Sequence, residues 1–158
     1  MPLEIERRFL VHGDDWRGGW MHERFCQGHL TRDDAVTVRV RRAGARAFLT
    51  IKGAARGAVR QEFEYEIPVE HAEEMLDTLC HKPLVEKTRH HVPHAGRRWL
   101  VDEFAGDNAG LVLAEIELAD PHERFAPPSW LGAEITDDPR YRNSFLARRP
   151  FRTWRDVA

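Results

Sequence analysis

Two short strings, Glu4-Ile5-Glu6 near the start of the chain and Glu115-Ile116-Glu117 near its end, each carry two carboxylates one residue apart. In an extended strand alternate side chains share a face, so each string presents its acids side by side, and Arg8 joins Glu4 and Glu6 on theirs. Between them lie basic strings, Arg39-Val40-Arg41, Thr50-Ile51-Lys52 and Lys87-Thr88-Arg89, and one string of both signs, Arg60-Gln61-Glu62-Phe63-Glu64. Carboxylates held together repel one another, and a hard divalent cation relieves this through oxygen coordination. Guanidinium and ammonium groups gathered nearby suit a polyanion, and arginine suits phosphate because its planar fork donates two hydrogen bonds at once. A lone E-x-E string is ordinary. Two of them with basic strings between point to a site for metal and phosphate. Lys87 has two chemistries open to it: a plain phosphate clamp, or a proton acceptor if the like charge of Arg89 lowers its pKa.

Strands must position these groups. Pro2 to Val11 sets Ile5 and Phe9 opposite its charged side. Met21 to Thr31 reads as extended, with Phe25, Gln27 and His29 on one face. Val36 to Arg41 alternates most cleanly, three valines against Thr37, Arg39 and Arg41, and Arg46 to Lys52 returns as its hairpin partner. Residues 59–69 set Arg60, Glu62, Glu64 and Glu66 against Phe63, Tyr65 and Ile67. Strands over 85–92, 98–104 and 111–118 complete a set of eight, and the first of these aligns Val85, Lys87, Arg89 and His91. Helical spacing covers Glu70 to Leu79, and short helices are expected over Trp16 to Gly19 and Arg140 to Arg148. This order predicts a mainly β (α+β) fold, an eight-stranded antiparallel β-barrel with a few covering helices.

Such a barrel could bury either face. With the apolar faces inside, the charged ones are simply solvated. With the charged faces inside, Glu4, Glu6, Glu62, Glu64, Glu115 and Glu117 line a polar tunnel with Arg8, Arg39, Arg41, Lys52, Arg60, Lys87 and Arg89. That burial is costly unless each charge has a partner or a ligand supplies one. The recurrence of acids and bases along the whole chain predicts the second arrangement.

Composition narrows the function classes. At 158 residues, a single domain spanning 1–158 is the natural count, with 42% hydrophobic and 32% charged residues. The 24 basic and 26 acidic side chains nearly cancel, so no nucleic-acid partner is expected. No apolar run is long enough for a membrane span and no signal-peptide core opens the chain, so a soluble cytoplasmic protein is expected. Cys26 and Cys80 have no metal-binding spacing, and neither do the histidines.

Taken together, Glu4-Ile5-Glu6-Arg7-Arg8-Phe9-Leu10-Val11, the basic strings, Asp102-Glu103-Phe104, Glu115-Ile116-Glu117, Glu134-Ile135-Thr136 and Arg140-Tyr141-Arg142-Asn143 resemble the CYTH domain, or triphosphate tunnel metalloenzyme, superfamily. The resemblance runs from about residue 3 to 147 in the family's order. It implies a barrel enclosing a tunnel and Mg²⁺- or Mn²⁺-dependent hydrolysis of inorganic triphosphate or another small-molecule triphosphate, short polyphosphate included. By the same resemblance Glu4, Glu6, Glu115 and Glu117 are metal ligands, with Asp102, Glu62 and Glu64 as further ligands. Arg8, Arg39, Arg41, Lys52, Arg89 and Arg142 hold phosphate, and Arg60 joins them from its place on the charged face. Two positions depart from the family pattern. Arg8 stands where the signature has lysine, and His29 stands where the short bacterial triphosphatases have a tyrosine that pairs with the lysine matching Lys87. His29 and Lys87 are therefore the candidate catalytic pair. A class IV adenylyl cyclase or a nucleotide or thiamine triphosphate enzyme is an alternative on the same barrel. A non-catalytic polyphosphate-binding module is another. Oligomeric state stays open, a homodimer included.

Overall fold

The computed structural model describes residues 2–32 and 35–154. Eight strands form the barrel: β1 (Leu3–Val11), β2 (His22–His29), β3 (Thr37–Ala43), β4 (Arg46–Lys52), β5 (Val59–Ile67), β6 (Val85–His94), β7 (Arg97–Phe104) and β8 (Val112–Glu117). They are hydrogen-bonded in the order β5-β4-β3-β2-β6-β7-β8-β1, all neighbours antiparallel. Pairing of Leu3, Glu4 and Ile5 with Gln61, Arg60 and Val59 joins β1 back to β5 and closes the barrel.

A ninth strand, β9 (Leu131–Glu134), was not expected, since four residues with glycine and alanine at the centre show no alternation. It pairs with β1 at Phe9 and Val11, on the edge whose first residues β5 occupies. Between the two, Arg8 donates its backbone N–H to Thr136 Oγ1 and its carbonyl accepts from Ile135.

The charged faces point inward. Across neighbouring strands Glu6 stands opposite Glu117, Arg8 opposite Glu115, Gln27 opposite Arg41, and Lys52 opposite Glu62. The two E-x-E strings thus lie on adjacent strands, offset so that Glu4 passes beyond Glu117. The outward apolar faces build two clusters. Phe9, Trp99, Val101, Ile116 and Trp130 pack with the buried Trp16. Val40 and Ala47 pack under Ala72 and Leu76 of α1 (Val69–Thr78), which covers β3 and β4.

The third cluster stoppers one end of the lumen. Leu10, Val85, Phe104 and Leu113 follow the same alternation as Arg8, Lys87, Asp102 and Glu115, so they too face inward, further along the axis. Leu146 and Ala147 of α2 (Asn143–Arg148), with Ile135 and Tyr141, fill the space among them. Fully burying a side chain of this size stabilises by roughly 1.5–3 kcal/mol.

The short helix expected over Trp16 to Gly19 is a turn. Arg17 N–H bonds the Asp14 carbonyl and Trp20 Nε1 bonds the Trp16 carbonyl, while Gly19 takes a φ of 68° that a right-handed helix does not allow. The helix expected over 140–148 starts later, because Pro139 to Tyr141 form a tighter 3-10 turn first. Val36 precedes β3 and is exposed. Among the described residues no helix is long and apolar enough to cross a membrane.

Candidate active site

Fourteen of the sixteen expected site residues line one cavity of about 160 Å³: Glu4, Glu6, Arg8, His29, Arg39, Arg41, Lys52, Arg60, Glu62, Glu64, Arg89, Glu115, Glu117 and Arg142. Seven of the eight barrel strands and the segment before α2 supply them, which explains why no single stretch of sequence contains the site. Lys87 and Asp102 do not line the cavity. They sit beneath its wall, at 1% and 2% exposure.

Asp102 organises that layer. Its two oxygens accept from Lys87 Nζ at 2.8 Å and from Arg89 Nε and a terminal Arg89 nitrogen at 2.8 and 3.0 Å. Arg89 also donates to Glu115 at 2.7 Å. Burial alone would raise the Asp102 carboxyl, but Arg89 and Lys87 outweigh it and hold it far below the ordinary carboxylate range. Asp102 was expected among the metal ligands. In the structure both of its oxygens accept from cations, Lys87 and Arg89.

Lys87 was expected to pair with His29. The register puts it across from Phe25, four residues from His29 along β2, and its ammonium bonds Asp102 and, at 3.2 Å, Asn143 Oδ1. Burial lowers its pKa to about 7, with Arg89 and Arg41 pushing the same way against Asp102. His29 itself is on the cavity wall.

The acids divide into two groups. Glu62, Glu115 and Glu64 each have a cation or hydroxyl at hand. Burial raises Glu115, but Arg89 and Arg8 bring it below its usual value, and Glu62 is lowered against burial by its contacts with Glu4 and Lys52. Glu64 accepts from Thr50 Oγ1 at 2.8 Å. Glu4 and Glu6 differ. Burial, with Glu62 beside it, raises Glu4 to about 7 even though both its oxygens accept from Lys52 Nζ. Burial, then Glu115 and Glu4, raises Glu6 to about 7. These two carboxyls lack positive charge.

That deficit is the test of whether a divalent metal fits. Among the described residues no three acidic, histidine or cysteine side chains form a ready-made cage. Mg²⁺ does not require one, because it keeps waters and takes one or two carboxylates together with substrate phosphates. Glu4 and Glu6, oxygen donors short of a cation, with the exposed Glu117 across from Glu6, meet that requirement. The residues fit the group.

On the basic side, Arg41 donates from Nε to Gln27 Oε1 at 2.8 Å and lies over the Phe25 ring at 4.4 Å, with Arg89 at 5.2 Å from the same ring. Burial and then Arg39 and Arg89 lower the Arg41 pKa well below its usual value. Arg89 is compensated by Asp102 and Glu115, but burial leaves Arg39 and Arg41 short of negative charge, an arrangement whose chemistry suits a polyanion. Arg8 is tied to the stopper by a bond to the Tyr141 carbonyl at 2.9 Å.

Thr37, Asn143 and Ser144 also line the cavity and were not among the expected site residues. Alternation could have found Thr37, which shares a face with Arg39. Asn143 and Ser144 begin a six-residue helix, too short for periodicity to orient.

The CYTH domain family matches residues 2–143. An inorganic triphosphatase of Acetivibrio thermocellus is 44% identical over 156 residues, 99% of this chain and 100% of that protein. An inorganic triphosphatase of Nitrosomonas europaea is 39% identical over 150 residues, 91% of this chain and 96% of that protein. The crystal structure of the inorganic triphosphatase NE1496 superposes with a TM-score of 0.68 at 35% identity, covering 93% of this chain and 95% of that one.

Proposed function

The chain belongs to the CYTH domain family, and from that premise we propose that it is a hydrolase of inorganic triphosphate, one domain whose barrel lumen is the active site. The observation that carries the proposal is the convergence of seven arginine and lysine side chains and six glutamates on a single cavity within the barrel.

Hydrolysis adds water across one phosphoanhydride bond, giving orthophosphate and pyrophosphate. Because the reacting phosphoryl group passes through a loose transition state, the protein's task is positioning and charge stabilisation. Arg39, Arg41, Lys52 and Arg89 are proposed to hold phosphate oxygens, with Arg8 and Arg60 flanking and Arg142 reaching in from the stopper. Glu4, Glu6 and Glu117 are proposed to hold Mg²⁺ or Mn²⁺, with Glu115, Glu62 and Glu64 completing the acidic wall. When bound, the metal supplies charge neutralisation at phosphate oxygens. His29 is assigned to orient the attacking water, since a neutral imidazole offers one acceptor nitrogen. Lys87 acts from below: its ammonium fixes Asp102, and Asp102 fixes Arg89.

A substrate panel tests the proposal. Inorganic triphosphate, a nucleoside triphosphate and thiamine triphosphate are each supplied with Mg²⁺ or Mn²⁺, and released phosphate and cyclic nucleotide are measured. Phosphate from inorganic triphosphate is the expected result. Cyclic nucleotide formation, or tight binding of triphosphate without turnover, would replace it with a cyclase or a binding module.

A further inference from the structure

Asn143 is the residue that both bonds Lys87 directly and lines the lumen. Lys87 does not line the cavity, and of its two hydrogen-bond partners Asp102 does not either, whereas Asn143 does. An ammonium can only donate, so the amide atom facing Lys87 is the oxygen. That contact fixes the amide's orientation and turns Nδ2 away from the lysine. Among the described residues Nδ2 has no hydrogen-bond partner, and it is not one of the buried polar atoms left without one. Asn143 thus brings an amide donor, oriented by Lys87, to a cavity that seven cationic side chains share with six glutamates.

Its place in the fold is equally specific. Asn143 is the first residue of α2, whose Leu146 and Ala147 pack in the stopper, and its neighbours Arg142 and Ser144 also line the cavity. Arg8 reaches the same segment through the Tyr141 carbonyl. The donor therefore stands at the closed end of the lumen, on an element held by apolar packing on one side and by Arg8 and Lys87 on the other.

We propose that the Asn143 amide nitrogen donates a hydrogen bond to the phosphoryl group bound at the closed end of the lumen, as a catalytic residue of this site. A neutral donor adds little to ground-state affinity among seven cationic side chains. Its effect falls on the reacting group, where an oriented donor placed where charge redistributes lowers the barrier. The inference rests on the triphosphatase reading, and the experiment separates the two.

Phosphate release from inorganic triphosphate with Mg²⁺ or Mn²⁺ is measured for the wild type, Asn143→Ala and Asn143→Asp. The aspartate keeps the side chain's shape and an oxygen for Lys87 but replaces the donor, so it carries the test even if the alanine variant fails to fold. The expected result is a fall in kcat of about 100-fold in both variants, with KM within about threefold in Asn143→Ala and raised in Asn143→Asp by the added negative charge. Recovery of near-wild-type kcat in Asn143→Asp would overturn the proposal and leave Asn143 as a support for Lys87. Rates within about threefold of wild type in both variants, or a loss carried wholly by KM, would overturn it while leaving the triphosphatase reading intact. A wild type that releases no phosphate would overturn both.

Discussion

Burial raises Glu6 to about 7, and repulsion from Glu115 and Glu4 outweighs the attraction of Lys52 and Arg8; burial raises Glu4 to the same value, and its one ammonium is shared with Glu62. Below that pH each carboxyl binds a proton in place of the proposed metal ion. The apparent affinity for Mg²⁺ should therefore weaken as pH falls below about 7, by about tenfold per unit for each proton displaced. Titration of the metal dependence of turnover between pH 5.5 and 8 checks this, and a flat dependence would contradict it. The same groups act on stability with a definite sign. Their pKa values are higher folded than unfolded, so the folded chain binds more protons between about 4.5 and 7, and stability is lost as pH rises through that window. His90, lowered chiefly by burial, opposes them there, and Lys87 acts only above about 7. Metal-free protein should melt a few degrees lower at pH 7 than at pH 5.5, and saturating Mg²⁺ should remove most of the difference. Glu6→Gln, which removes the charge at nearly constant shape, should reduce that slope by about half, Glu4 keeping the rest, and cut turnover at least 100-fold. His29→Gln should cost at least tenfold in kcat, measured at saturating metal. How far the site was legible differs from residue to residue. Alternation and charge put Glu4, Arg39 and Glu115 on one surface. They could not tell that Lys87 and Asp102 lie beneath it, because depth depends on which cations compete for one carboxylate.

The stopper is the element that joins packing to chemistry. Leu146 is fully buried at one end of α2 and Asn143 meets Lys87 at the other, so a cavity under the helix should disturb the closed end of the lumen. Leu146→Ala should cost about 2–5 kcal/mol and lower Tm by roughly 10 °C. It should also reduce kcat, whereas Leu76→Ala in α1, of similar chemical size, should destabilise while leaving kcat within about threefold. Equal kcat in the two variants at a temperature where both are folded would contradict the link. The barrel strands were legible because one apolar and one charged face give a period of two that little else produces. Elements without such faces were not. Leu131–Glu134 is held by backbone pairing on β1 rather than by pattern, and the turn after Trp16 follows from Gly18 and Gly19 rather than from the aromatic residues around them.

The molecule as a whole inverts the usual placement of charge. Its apolar faces are divided into clusters around and beneath a barrel whose interior is ionic, and burial of so many charges costs stability unless a ligand offsets it. The near balance of 24 basic and 26 acidic residues accompanies a lumen built from both signs, which we propose serve metal and phosphate respectively. Phosphorus NMR of inorganic triphosphate incubated with the protein and Mg²⁺ reports on both halves of that pairing at once. The triphosphate signals should decay while orthophosphate and pyrophosphate appear in equal amounts, and chelation of the metal should stop the reaction. Triphosphate that persists unchanged with Mg²⁺ and with Mn²⁺, or hydrolysis that continues undiminished after chelation, would contradict that pairing.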